Sequence, residues 1–296
     1  MRPAPIPDVD FLLAHPGAAI VCAGILGLIV GSFLNVVILR LPARLLHGWR
    51  AQSREMLELD QPADEATPPG IVREPSHCPR CKHPLGALEN VPLVSWLVLR
   101  GRCRHCHAPI SMQYPLVELL TGVCSAIVVW KFGIGWQAAA GLVFTWTLIA
   151  LSGIDMRTQL LPDQMTLPLL WLGLLLSLKP LFVDSHAGLI GAVAGYLSLW
   201  SVYWLFKLTT GKEGMGYGDF KLLAALGTWM GPFALLPIVL LSSLIGAIVG
   251  GAFLALRGHD RATPIPFGPF IAAAGWVWFV WSEPLSLFYR HFFEVS

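Results

Sequence analysis

The chain has 296 residues, a net charge of +2, 55% hydrophobic and only 13% charged residues, and a mean hydropathy of +0.64. A soluble domain carries roughly a quarter charged residues, so this balance excludes an ordinary water-soluble globule and points to lipid. A net charge of +2 says little about nucleic acid, and none is expected as a partner; what matters is where the positive residues sit. The first apolar run, Gly17 to Leu39, is long enough for a bilayer core, which takes about 20 apolar residues. Arg2, Asp8 and Asp10 precede it, Arg40 follows at once and no small-residue cleavage site intervenes. These flanks predict a retained anchor, with residues 1–16 as a periplasmic tail.

Residues 40–112 form the one long polar segment, with the densest positive charge in the chain: Arg40, Arg44, Arg50, Arg54, Arg73, Arg80, Lys82, Arg100, Arg102 and Arg104. The positive-inside rule makes it cytoplasmic. Asp60 to Gly70 reads as a solvated loop, and no internal repeat is evident. Two C-x-x-C pairs, Cys78 with Cys81 and Cys103 with Cys106, have the spacing of a four-thiolate zinc site. Two disulfides are the alternative, disfavoured in a reducing cytoplasm. Four thiolates leave no open position, so zinc here would be structural, holding together a segment too polar to build its own core. His77, His83, His105 and His107 crowd the same turns, where one could replace a thiolate, although solvated or supporting roles suit them better. Cys22 and Cys124 fall inside spans and read as small apolar fillers.

Further spans are predicted at about 114–130, 136–154, 164–178, 187–206, 220–232, 234–256 and 267–282. The fold class is therefore an all-α polytopic integral membrane protein of about eight transmembrane helices, with a seven-helix domain over 113–296. Arg157, Lys207, Lys212, Arg257 and Arg261 fall on the side of the polar segment, against Lys131 and Lys179 on the other. Trp200, Tyr203 and Trp204 make an aromatic belt at the cytoplasmic end of their span. The sixth span is short and contains Gly227.

This topology puts Asp155, closing the third span, and Asp219, opening the sixth, at the same membrane boundary. Ionisable groups at membrane depth are costly and mark function by default. Two carboxyl groups held together share a proton, the state that peptide hydrolysis uses. Helix capping is the alternative for each, and Asp163, after Pro162, reads as an N-cap. Gly214, Gly216 and Gly218 would let the chain ahead of Asp219 take strained dihedrals and admit another backbone, or simply act as a hinge. A proton-coupled transporter would also use membrane carboxylates, but nearer the bilayer midplane. A membrane-tethered scaffold presenting the zinc module would leave both aspartates idle.

The motif Gly216 to Asp219, GYGD, resembles the G-x-G-D signature of membrane aspartyl proteases. Together with IDMRTQLLPD before it, GSFLNVVILRLP (Gly31 to Pro42), the cysteine pairs, YPLVELLTG and TPIPFGPF (Thr263 to Phe270), it resembles the bacterial prepilin peptidases in order along nearly the whole chain. That resemblance implies an inner-membrane enzyme whose catalytic aspartates are Asp155 and Asp219. It implies cleavage of the basic leader from type IV prepilins and type II secretion pseudopilins, followed by N-methylation with S-adenosylmethionine. The sequence has no nucleotide-binding signature of its own for that cofactor. Asn35 and Glu118 lie where two spans meet the polar segment and could line a site; an interhelical hydrogen bond for Asn35 and an interfacial position for Glu118 are the plainer readings. PIPFGP reads as a tight entry into the last span.

Overall fold

The computed structural model describes residues 14–60, 66–72, 74–257 and 266–293. Most of the expected periplasmic tail, part of the Asp60 to Gly70 loop, Arg73, Arg261 and the start of Thr263 to Phe270 lie outside them. Among the described residues regular structure is helical: α1 (Pro16–Met56), α2 (Val94–Val98), α3 (Gln113–Phe132), α4 (Trp136–Thr158), α5 (Asp163–Ser177), α6 (Ser185–Thr210), α7 (Tyr217–Met230), α8 (Leu235–Arg257) and α9 (Gly268–Phe293). Every predicted span is a helix. Those over Pro16–Met56, Gln113–Phe132, Trp136–Thr158, Ser185–Thr210 and Pro232–Ala252 are long and apolar enough to cross a membrane by themselves. The chain is a polytopic membrane protein. Along α8, Leu236, Leu240, Leu244 and Ile248 form an exposed row at helical spacing, a surface that belongs in lipid.

The chain divides into two compact units, Met1–Ala150 and Leu151–Ser296. In the first, α1 and α3 pack antiparallel through small residues: a Cβ on Gly27 would lie 2.6 Å from Thr121 O, and one on Gly31 would lie 2.7 Å from Glu118 Cα. Backbones this close gain dispersion contacts that lipid tails cannot displace. The first helix does not stop at Leu39 but runs through Pro42 to Met56, because the residues beyond are good helix formers and one proline removes a single backbone bond. Its arginines are more than surface charges. Arg40 Nη1 donates to Gly70 O at 2.6 Å and Glu74 O at 3.0 Å, its Nη2 donates to Pro75 O at 3.2 Å, and Arg44 Nη1 donates to Pro68 O at 3.1 Å. These bonds tie the polar loop to the helix.

In the second unit α7 is the enclosed element. Phe220, Leu222, Leu223, Ala225 and Leu226 are fully buried, and Trp229 packs against the rings of Phe182 and Phe279 while its Nε1 donates to Leu169 O at 2.9 Å. At 14 residues α7 is about 21 Å long, and α5, at 15 residues, is about 22 Å, both short of a core of about 30 Å. Glycine makes the enclosure possible. Gly191 of α6 lies against the Gly227 carbonyl of α7, Gly195 against Leu223 O, and Gly173 of α5 against Thr228 and Trp229.

Candidate functional site

Asp155 lies near the C-terminus of α4, and Asp219 is the third residue of α7, one turn beyond the extended N-cap Gly216. Both are buried, at 5% and 7% exposure, and their carboxyl groups are close enough to interact electrostatically. Residues 64 apart in sequence thus meet at one end of the second unit. A third element joins them: the backbone N–H of Gly268, the first residue of α9, donates to Asp155 Oδ2 at 3.0 Å. Leu161, between α4 and α5, packs against the backbone beside both aspartates. A Cβ on Gly218 would come within 2.7 Å of Leu161 Cβ, and one on Gly268 within 3.1 Å of Leu161 Cδ1 and 2.6 Å of Asp155 Oδ2. Asp219 lies at the N-terminus of α7 and Asp155 at that of α9, where unsatisfied N–H groups favour negative charge.

The glycines serve differently from the sequence expectation. None of Gly214, Gly216 and Gly218 has a positive φ, so the strained dihedrals expected before Asp219 do not occur. Instead Gly218 admits the Leu161 side chain and Gly214 the Phe206 ring, while Gly216 has open space around it. Asp163 is not an N-cap either. It is the first residue of α5 behind Pro162, and its carboxylate pairs with Lys221 Nζ at 2.6 and 2.8 Å, because a cation lies within reach of its helix start. Gly268 and Leu161 were not foreseen from sequence. The only signal for Gly268 was the proline-flanked glycine of FGPF, which also suits a plain helix entry.

In the first unit the Sγ atoms of Cys78, Cys81, Cys103 and Cys106 lie within 4.8 Å of one another, a cluster that could hold a metal ion. The Sγ atoms of Cys78 and Cys106 are 3.8 Å apart and those of Cys81 and Cys103 4.0 Å, with none of the four disulfide-bonded. The histidines are not members of the group, although His83 and His105 stack at 3.5 Å beside it.

The structure also reveals a repeat that the sequence reading missed. Cys78 N–H donates to His83 O and Lys82 N–H to Cys78 O; 25 residues on, Cys103 N–H donates to Ala108 O and His107 N–H to Cys103 O. Isolated bridges His77 to Pro84 and Arg102 to Pro109 close the two turns, and Lys82 and His107 take matching left-handed conformations. Only the cysteines and one proline match in type, too few for the repeat to be legible by eye. Backbone N–H groups of Cys81 and Arg80 favour the Cys78 thiolate and lower its pKa to about 6.

Asn35 and Glu118 are both buried at the α1–α3 junction, where Asn35 Nδ2 donates to Gly31 O at 3.2 Å and Tyr114 O at 3.1 Å, an interhelical bond as the sequence suggested. Glu118 Oε2 accepts from Leu93 N at 2.8 Å, so this carboxylate turns inward instead of reaching out to the interface.

Residues 25–132 match the family described as Bacterial Peptidase A24 N-terminal domain, and residues 142–251 match the Type IV leader peptidase family. Curated relatives named prepilin leader peptidase/N-methyltransferase are similar over most of both chains. The protein of Xanthomonas campestris pv. campestris is 56% identical over 282 residues, 95% of this chain and 98% of its own. That of Pseudomonas aeruginosa is 53% identical over 288 residues, 97% and 99% of the two chains, and that of Neisseria gonorrhoeae 47% over 261, 88% and 90%. No solved structure matches. With matches to both domains in order and more than half of its residues shared with full-length relatives, this chain belongs to the type IV leader peptidase family.

Proposed function

We propose that this protein is a membrane aspartyl endopeptidase that removes the leader from type IV prepilins and type II secretion pseudopilins. It then methylates the newly exposed N-terminal amine, with S-adenosylmethionine supplying the methyl group when bound. The single observation that carries the peptidase half is the pair of buried, electrostatically interacting carboxyl groups on separate helices. The relatives' shared name supports both halves. The protein acts in the bacterial inner membrane, with the aspartates and the polar segment on the cytoplasmic side, a reading supported by Arg40, Arg44, Arg157, Lys207 and Lys212.

Asp155 and Asp219 share one proton, because like charges this close do not both ionise readily. The ionised partner takes a proton from water as its oxygen adds to the scissile carbonyl, while the protonated partner hydrogen-bonds to the carbonyl oxygen. Collapse of the tetrahedral intermediate breaks the C–N bond, and the leaving amine takes its proton from the pair. The Gly268 N–H holds Asp155 in one orientation through this cycle. Leu161 excludes water from one side, and Gly218 lets its side chain pack close beside Asp219.

The four cysteines suit structural zinc. A Zn–S bond of about 2.3 Å in a tetrahedron requires sulfurs about 3.8 Å apart, which the 3.8 and 4.0 Å separations match. Four sulfurs leave no open position, so the ion would brace residues 40–112, and we assign that segment and the α1–α3 junction to methyl transfer.

Purified wild type, Asp155→Asn and Asp219→Asn in detergent, each given a prepilin with its leader, test the dyad. Either substitution removes half of one acid and base pair and is expected to lower cleavage at least about a hundredfold while the protein stays folded. Full cleavage by both variants would defeat the assignment.

A further inference from the structure

We propose that Asn35 and Glu118 form a binding site for a primary ammonium group at the junction of α1 and α3. Its biological occupant rests on the methyl-transfer reading above. Asn35 is 1% exposed, and its Nδ2 donates to two carbonyls, Gly31 O and Tyr114 O. That fixes the amide's orientation, since a flip would set an oxygen against two oxygens. Oδ1 therefore faces away, buried, with no hydrogen-bond partner among the described residues. An unmatched buried acceptor costs about 1–3 kcal/mol and is rare in native proteins.

The second acceptor lies one helical turn along the same contact. Gly31 and Asn35 share a face of α1, with Gly31 against Glu118 and Asn35 against Tyr114. Glu118 is 7% exposed, accepts a hydrogen bond from Leu93 N–H, and pairs with no cationic side chain among the described residues. Leu93 meets it at φ +59° and ψ −48°, a γ-turn closed by Val94 N–H donating to Pro92 O at 2.6 Å, a rare and strained conformation. The polar segment thus accepts backbone strain to cover a carboxylate that has no counter-charge.

Glu118 lacks a positive partner, and the Asn35 amide oxygen lacks a donor. A primary ammonium, a compact cation with three N–H donors, supplies both. A hard metal ion fits less well, since it takes six or more oxygen ligands. Two ammonium groups occur in the proposed reaction: the free N-terminus of the cleaved substrate and the amino-acid part of the methyl donor.

Calorimetry on the purified full-length protein in detergent separates them with two pairs of probes. One is a short peptide with a free N-terminus and its N-acetylated form; the other is S-adenosylhomocysteine and its deaminated analogue. At least one amine probe is expected to bind wild type about tenfold or more tightly than its blocked partner, and the pair that shows the preference identifies the source. Glu118→Gln keeps an oxygen for the Leu93 N–H but loses the charge, and should bring the ratio close to one. Equal affinities within both pairs, no binding by either amine probe, or a preference unchanged in Glu118→Gln overturns the site. The wild-type comparison needs no variant, so a folding defect cannot obscure it. A methylation assay on the same preparation separates the two ideas: wild type that never methylates defeats the parent reading and leaves ammonium binding measurable, whereas methylation without amine preference defeats this site alone.

Discussion

Replacing Gly268 with alanine should cripple cleavage without unfolding the protein. An added Cβ would lie 2.6 Å from Asp155 Oδ2 and 3.2 Å from its Cγ. Ordinary contact needs about 3.3 Å, so the carboxylate must retreat by about 0.7 Å. The Gly268 N–H bond, 3.0 Å long, would then exceed hydrogen-bonding reach. A hydrogen bond to a charged group is worth about 1.5–3 kcal/mol, or about 10–100-fold in rate, and a misplacement of this size alone can cost about a hundredfold. We expect kcat to fall about a hundredfold with KM little changed, because the substrate contacts are not touched. Gly268 is not left-handed, so alanine brings no backbone penalty and the unfolding midpoint should move only slightly. Steady-state kinetics on a prepilin, with thermal unfolding in the same detergent, measures both. A folded Gly268→Ala enzyme with kcat within about threefold of wild type would refute the claim that this N–H seats Asp155.

The two motif glycines should respond unequally. Gly218→Ala drives a Cβ into Leu161 and is expected to lower kcat at least about tenfold, whereas Gly216→Ala, whose Cβ meets nothing closer than 3.9 Å, should cleave nearly normally; equal losses on a substrate assay would contradict the packing. At the α6–α7 contact, Gly191→Ala would place a methyl on the Gly227 carbonyl and should cost about 3 kcal/mol, seen as an unfolding midpoint several degrees lower than that of the control Gly135→Ala, which has open space. Cys78→Ser, or a strong chelator, should empty the metal site and suppress methylation before scission, measured by metal analysis beside both activities. Protons compete with the metal for all four sulfurs, so occupancy should fall as the pH is lowered and be regained as it is raised.

What the sequence alone determined is what depends on near neighbours. Helices are set by local pattern, so all eight segments were legible as helices, including the short sixth one, now Tyr217–Met230, although only five among the described residues are long and apolar enough to cross a membrane by themselves. Each C-x-x-C turn is likewise a local structure, closed by backbone bonds within a few residues. The pairing of Asp155 with Asp219 was inferable only to the level of a shared membrane boundary. A carboxylate at a helix end is one pattern with several fates, and Asp163, which carries the same pattern, binds Lys221 instead. Tertiary structure decided among them, because which helix ends converge depends on the glycine contacts that let α5 and α6 close around α7. It alone supplied the Gly268 N–H from 113 residues away and the close packing of Leu161, and it turned Glu118 from an interfacial carboxylate into a buried acceptor beneath Leu93. Such contacts join residues whose own neighbourhoods in the chain give no sign of them.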